Sequence, residues 1–551
     1  MFVKNESMVL SWPDYILYVG VLIVYATFRV FVYSQPFIRR RLKWFTTDTS
    51  RWSLDENEMN MFARVEDKQP SASLGTTTLL LFMIVYTVAT ETYGNGTQLF
   101  YLIIAHLLAS AFMAHLYMPL FHELEINNIH ESCFRLALWA NVTQVILGMI
   151  GPMLVLIFGV KHVGGSGTMW DKIKQGGLVN FDNFNGSPFT EYSFFTVVVG
   201  GLGVLLSILA INPIEIEQYS STIYQKNAKI GIYTRSFITW IFYLILCICG
   251  FVGYNALFGC NPLRVELTSH LDQMLAITTV ILGTNAVALK GFLLGVLTTV
   301  SFSALTTLAN SAGTMLARDV IASTVKLNVS RYTPGGLSRW IAFALCLLCI
   351  PIAFGLLMIP TSLFRSSVTF AGVFGGPLFT VVCLGMFLPW ISNLGAVCGL
   401  LVSQVCGLGL LGLKLYAYTA PGRETVYYES IDTCEAIFPI HINPENITLI
   451  PQDDQMAFLD FSFMYIPAVC FFIGLIFALL MSIPSQFNAN KIIDEQYFAW
   501  PSRRLFKLGG SSNSNLVSDS HDEKFKEKDS NDPAWSASTL HRAPSTLSRW
   551  D

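Results

Sequence analysis

The feature that most constrains this chain is a series of long apolar runs almost free of charge. About 20 apolar residues suffice to cross a bilayer as a helix, and a helix satisfies its backbone groups internally. Eleven such runs stand near 14–33, 74–93, 98–121, 133–160, 193–213, 234–258, 288–316, 338–361, 368–390, 394–416 and 458–484. Charged residues make up only 13% of the 551, against roughly 25% in soluble proteins. The chain is therefore read as an all-α, multi-pass membrane protein. Arg39, Arg40, Arg41 and Lys43 follow the first run instead of preceding it, which argues against a cleaved leader.

Those basic residues also set an orientation, because cytoplasmic loops collect Lys and Arg. The 34–73 segment carries seven of them, and the 317–337 segment carries Arg318, Lys326 and Arg331. The 417–457 loop holds Arg423 among seven carboxylates, so it is placed outside. The expected organisation is an extracellular N-terminus at 1–13, a transmembrane domain over 14–487 and a cytoplasmic tail over 488–551. The tail is too polar to bury a core and is expected to be disordered. The location expected for such a chain is the plasma membrane.

Several function classes fall away. No GxSxG, HExxH or phosphate-binding glycine loop is present, so no enzyme chemistry is indicated. The net charge of −3 gives no field for nucleic acid. No cofactor is implied.

Polar and glycine-rich interruptions of apolar helices carry more information, since such breaks mark transporter ion and solute sites. The richest lies at 298–321, where Ser303, Thr307 and Asn310 fall at helical spacing on one face. Hydroxyls and carbonyls suit a hard monovalent cation; close helix packing by small residues is the alternative. Gly200, Gly201 and Gly203, followed by Ser207 and Asn212-Pro213, form the second, read as a broken helix lining a substrate cavity or as a close helix contact. At 73–96 a third run holds Thr76, Thr77 and Thr78, and its Glu91 is expected to reach water at the span's end. His106 and His115 on the next span read as packing or interfacial histidines. No Arg or Lys stands at a clear mid-span position to read a carboxylate.

With this topology, Asn446 (before Ile447-Thr448) and Asn185 (before Gly186-Ser187) are glycosylation acceptors in outer loops. Asn141 and Asn328 share the sequon but fall in a helix and an inner loop. Of eleven cysteines, only Cys260 and Cys434 fall outside, where a disulfide can persist. They are read as a bridge pinning the outer loop, or as two free thiols.

Taken in order, the segments resemble the sodium/solute symporter family in its multivitamin, monocarboxylate and iodide branch. The carrying stretches are DYILYVGVLI from Asp14, MPLFHELEI from Met118, and GGLVNFDNFNGSPFTEYSFFTVVVGG from Gly176. GCNP from Gly259, LDQM from Leu271, SFSALTTLANSAGTMLARDVI from Ser301 and FGGPLFTVVCLGMFLPWISNLGAVCGLL from Phe374 complete them. The resemblance implies a LeuT-type inverted-repeat fold. It implies a sodium site using carbonyls of Thr77, Leu80 and Val300 and the side chain of Ser303. Position 304 is Ala where the family has a second hydroxyl, so the site is expected to bind sodium less tightly. Leu79, Leu80 and Leu81, Pro213 and Gln218 also depart from the family. Two family helices are expected to be absent between Met118–Ile126 and the 133–160 run. The implied function is sodium-coupled symport of a small organic anion or vitamin by alternating access. The alternative is a transport-dead relative acting as a membrane receptor or regulatory subunit.

Overall fold

The computed structural model describes residues 11–27, 87–123, 131–212, 215–216, 225–260, 271–283, 289–322, 334–356, 362–388, 390–419 and 461–486, with isolated positions 358, 434, 499 and 502. Thr77, Leu80 and Asn446, the basic 34–73 loop and nearly all of the 488–551 tail lie outside these residues. Ala499, inside the expected tail, donates its N–H to the Met386 carbonyl at 3.0 Å.

The described chain is helical throughout. Helix α1 covers Trp12–Thr27 and α2 covers 87–95. A 3-10 turn, Gly96–Tyr101, leads into α3, Leu102–Phe112, and a π turn, Met113–Tyr117, leads into α4, Met118–Glu123. Then come α5, Glu131–Val163, and α6, Ser166–Gln175. A π turn, Thr196–Gly200, opens α7, Gly201–Leu209, and α8 is Gln225–Ala256. Next are α9, Met274–Leu282, α10, Leu289–Met315, and α11, Pro334–Leu356. The last three are α12, Leu363–Phe387, α13, Asn393–Thr419, and α14, Ile466–Gln486.

Helix stands at every apolar run read from the sequence, wholly or in its described part. Among the described residues eight helices are long and apolar enough to cross a bilayer, while α1 and the Thr196–Leu209 run are shorter. On α11, Leu347, Leu348, Ile350, Ile352 and Phe354 are all more than half exposed, as expected of a helix that meets lipid.

Three packing groups hold the bundle. Helices α12, α13 and α14 pack on one another, α10 packs on α11, and α5 packs on both α8 and α10. Between Glu123 and Val163 the described chain holds one helix, α5, where the resemblance implies two more before it. Two short helices, α6 and α9, fall outside the eleven apolar runs. In α6, Met169 and Ile173 bury one face, while Lys172 caps the Phe258 ring at 5.4 Å and Lys174 lies 5.8 Å from the Trp170 ring. Ten residues are too few to span, so hydropathy alone passes over such an element.

The glycine run at 200–203 is not an unwound break. The interruption is a π turn, one residue wider per turn than an α-helix, and the helix runs on through it. Gly200 is there for close approach: a Cβ would lie 2.9 Å from Met464 Cβ. Gly96, with φ of 69°, makes the reversal between α2 and α3 that any L side chain would strain, and its N–H neighbour Thr97 donates to Leu178 O.

Cys260 and Cys434 are joined by a disulfide with Cα atoms 4.6 Å apart, across 174 residues. The bridge sits at the end of the bundle where α2 and α8 meet, marked by the Tyr93–Tyr254 ring contact at 5.9 Å; this is called the disulfide end below. In the chain-entropy account such a closure stabilises by up to about 5 kcal/mol. Neither cysteine is therefore expected to react with an impermeant thiol reagent on intact cells until a reductant is added. Labelling of both without reductant would rule the bridge out in the membrane.

Candidate substrate cavity and sodium site

A cavity of about 90 Å³ lies among α2, α3, α7, α8 and α12. Helical spacing builds its walls. On α7, Gly201, Val204, Leu205 and Ile208 recur at i, i+3, i+4 and i+7, and on α8 Thr239, Trp240 and Tyr243 share one stripe. Leu102, Ile103 and His106 of α3 face them, and Thr87, Val88, Phe364, Ser367, Val368 and Met464 close the remaining sides. The wall is almost wholly apolar, with a few polar atoms, the composition of a small-molecule site.

Some of those polar groups are already satisfied. Tyr243 donates its hydroxyl to Leu99 O at 3.0 Å, and Ser367 donates to Phe364 O at 3.0 Å. Three buried atoms on the wall have no hydrogen-bond partner among the described residues: His106 Nε2, Thr239 Oγ1 and Trp240 Nε1. Leaving such a group unmade costs about 1–3 kcal/mol. A solute that pairs with all three recovers that cost on binding. The indole N–H only donates and the threonine hydroxyl does either, so the trio favours an acceptor-bearing head group.

Of the glycine-run residues expected to line the cavity, Gly201 does so. The other three serve packing. Gly200 meets Met464, Gly203 faces Ala468 at 3.8 Å, and Ser207 is buried with its hydroxyl donated to Val204 O at 2.8 Å. At helical spacing Gly203 and Ser207 fall on a different stripe of α7 from Gly201, Val204, Leu205 and Ile208.

Buried polar groups stand one turn beyond the cavity lining at both ends. At the disulfide end, one turn beyond Thr87, Glu91 is 1% exposed, not in water as its place near the span's end predicts. Its carboxylate accepts from Asn95 Nδ2 at 2.7 Å, from Tyr192 OH at 2.8 Å and from the Ser362 hydroxyl. Arg365 Nε stands 3.7 Å away, and Arg365 Nη1 pairs with Glu191 at 2.9 Å. Nearby, Asp272 Oδ2 accepts from Leu363 N–H at 2.9 Å, capping α12. Burial, with the Glu91 charge adding to it, pushes the Asp272 carboxyl up to about 7. At the opposite end, one turn from His106 and Thr239, Ser110 and Ser236 share a hydrogen bond, and Arg235 pairs with Glu215.

Of the residues expected to bind sodium, Val300 and Ser303 lie among the described residues, on α10. Val300, Ser303 and Ala304 are all buried. Helix α5 closes over them: a Cβ at Gly148 would lie 3.2 Å from Val300 Cγ2. The hydroxyl-rich face is largely consumed by its own helix. Thr298 donates to Leu294 O at 2.8 Å, Thr299 to Val296 O at 2.8 Å and Ser301 to Leu297 O at 3.1 Å. Thr306 and Thr307 both donate to Ser303 O at 2.9 Å. Thr307 is half-buried and Asn310 exposed, so the expected three-residue face narrows to Ser303. The cause is coverage: α5 crosses at Val296–Val300 and α11 at Gly313, leaving the turns between them open.

Sequence reasoning missed Thr239, Trp240 and the two arginines. Arg235 and Arg365 carried a readable signal, because a charge beside an apolar run is costly unless it has a structural or functional partner. Asn185 is exposed in the loop before α7, within a turn where Ser187 N–H donates to its Oδ1 at 3.0 Å.

Five helices line a small cavity within an all-helical fold whose described residues include eight helices long and apolar enough to cross a bilayer. A solved structure titled as a substrate-bound outward-open state of a Na+-coupled sialic acid symporter shares the fold, with a TM-score of 0.58. The two are 13% identical, over 86% of this chain and 98% of that one. The sequence profile of the sodium:solute symporter family matches residues 59–403, and the chain belongs to that family. It is 24% identical over 305 residues to human sodium-coupled monocarboxylate transporter 1, covering 55% of this chain and 50% of the relative. It is 27% identical over 292 residues to the rabbit (Oryctolagus cuniculus) sodium-dependent multivitamin transporter, covering 52% and 45%. With the human sodium/iodide cotransporter it shares 25% over 293 residues, 53% and 45%. The chain spans about half the length of the curated relatives it matches.

Proposed function

We propose that the chain is a sodium-coupled symporter of a small organic anion or vitamin, working by alternating access at the plasma membrane. The observation that carries this reading is the apolar cavity with three unpaired polar atoms, set among helices of a symporter family. An apolar wall holds the carbon skeleton of the solute, and the Trp240 and Thr239 hydrogens meet its acceptor oxygens. Among the described lining residues none carries an acid, lysine or arginine side chain, and an anionic solute is neutralised by its co-transported sodium, with Ser303 and the Val300 carbonyl as ligands together with Thr77 and Leu80 carbonyls. Sodium favours the form that binds solute, and solute favours the form that holds sodium, by the same free energy.

The relatives' named solutes supply the panel to test: monocarboxylates, vitamins and iodide. The purified chain is expected to gain thermal stability with a monocarboxylate or vitamin in sodium but not in choline. Equal stabilisation in both salts, or none with any solute, contradicts the reading. Trp240→Phe keeps the ring and removes one donor, so it is expected to weaken the stabilising solute about tenfold, the effect of about 1.4 kcal/mol.

The disulfide end is taken as the outer face, because a disulfide persists in an oxidising compartment. Asn185 and Asn446 are then glycan acceptors. Loss of the glycosidase-sensitive shift in Asn185→Gln/Asn446→Gln supports this topology; a shift lost only on Asn328→Gln overturns it.

A further inference from the structure

Two buried ion pairs bracket the cavity, and their surroundings differ. Arg235 and Glu215 are each 1% exposed. Separating them takes each charge from its ion-pair partner where water does not reach, which is unfavourable. That pair is a strut. Arg365, by contrast, has one partner that water reaches, since Glu191 is 40% exposed. Its other acidic neighbour, Glu91, stands at 3.7 Å and is independently satisfied by Asn95, Tyr192 and Ser362. If Arg365 swings away, Glu91 keeps three donors and Glu191 meets solvent. Both acids then keep donors or water, and the buried guanidinium needs water to receive it, so its release goes together with opening of this end to solvent.

Its position makes release consequential. Arg365 follows Phe364, a cavity wall residue, on α12. Through Glu91, Glu191 and the Tyr192 ring, 6.0 Å from the guanidinium, it ties α12 to α2 and to the segment leading into α7. Phe463 packs edge-on against Tyr192 and Phe364 at 5.9 and 6.1 Å, closing the same end with apolar surface.

We infer that Arg365 is the latch that shuts the cavity at the disulfide end, opening by release from Glu91 and Glu191 while Arg235–Glu215 stays closed. This rests on the cavity being the solute site, but its test needs neither solute nor sodium, so a chain that fails to transport still answers it.

The reporter is Ser367→Cys on the cavity wall, labelled by a membrane-impermeant maleimide in right-side-out and inside-out vesicles. Labelling is counted above the full chain lacking the reporter. The disulfide face is the one where an impermeant reductant cleaves Cys260–Cys434. Adding R365Q is expected to speed labelling at least tenfold from that face alone, whereas R365K, which keeps the charge, changes it less than threefold. E191Q, which alters only the half-exposed partner, is expected to give a smaller increase, about threefold, and serves if R365Q does not reach the membrane. The inference is overturned if neither R365Q nor E191Q labels faster than the parent. It is also overturned if either labels faster from both faces, which is general loosening and not a latch.

Discussion

Ser303→Ala is expected to raise the sodium concentration for half-maximal uptake at least tenfold, with little change in the maximal rate. Sodium is a hard cation that takes oxygen ligands, and the site implied by the family offers one side-chain oxygen here where relatives have two. Ser303 is 0% exposed, so no water stands ready to replace its hydroxyl. Its own carbonyl is engaged twice, by Thr306 and Thr307, which leaves the side chain as the contribution this residue can make. A tenfold change corresponds to about 1.4 kcal/mol, within the usual worth of a hydrogen-bonding group at a charge. The reciprocal substitution is the sharper test. Ala304 is 1% exposed beside Ser303, and Ala304→Ser is expected to lower the sodium requirement. Unchanged sodium dependence in both variants, measured as uptake against sodium concentration, removes this site from the mechanism.

Arg235→Met is expected to destabilise the chain by about 3–5 kcal/mol, because it removes the ion-pair partner of the buried Glu215 carboxylate. Arg235→Met/Glu215→Met is expected to recover most of that loss, since an apolar pair of similar volume needs no desolvation of ions. Thermal unfolding in detergent reads both. A double variant as unstable as the single one shows that the pair acts through packing or another partner instead of through charge.

The helical class, the span positions and the family were legible because hydropathy reports burial in lipid directly. The run at 234–258, for instance, can only be a spanning helix, and α8 is one. Contacts between helices were less legible. Glu91 reads as a carboxylate near a span's end, and only the approach of Tyr192 and Ser362, 101 and 271 residues away, seals it from water. Trp240 and Thr239 look like ordinary residues of an apolar run, and nothing local says that their polar atoms end unpaired on a cavity wall. The hydroxyls of α10 misled in the opposite direction. Their number reads as a ligand-rich face, yet serine and threonine in a helix readily donate to the carbonyl one turn back, and here most do. Composition counts such groups; only geometry shows which are spent.

Solute accumulation in sealed vesicles containing the purified chain tests the central proposal most directly. With sodium higher outside, a monocarboxylate or vitamin is expected to rise above its equilibrium level and then decay as the gradient runs down. Replacing sodium by choline, or collapsing the gradient with a sodium ionophore, is expected to abolish the overshoot. Accumulation that is indifferent to the sodium gradient, or no uptake of any solute in the panel by folded chain, contradicts sodium-coupled symport.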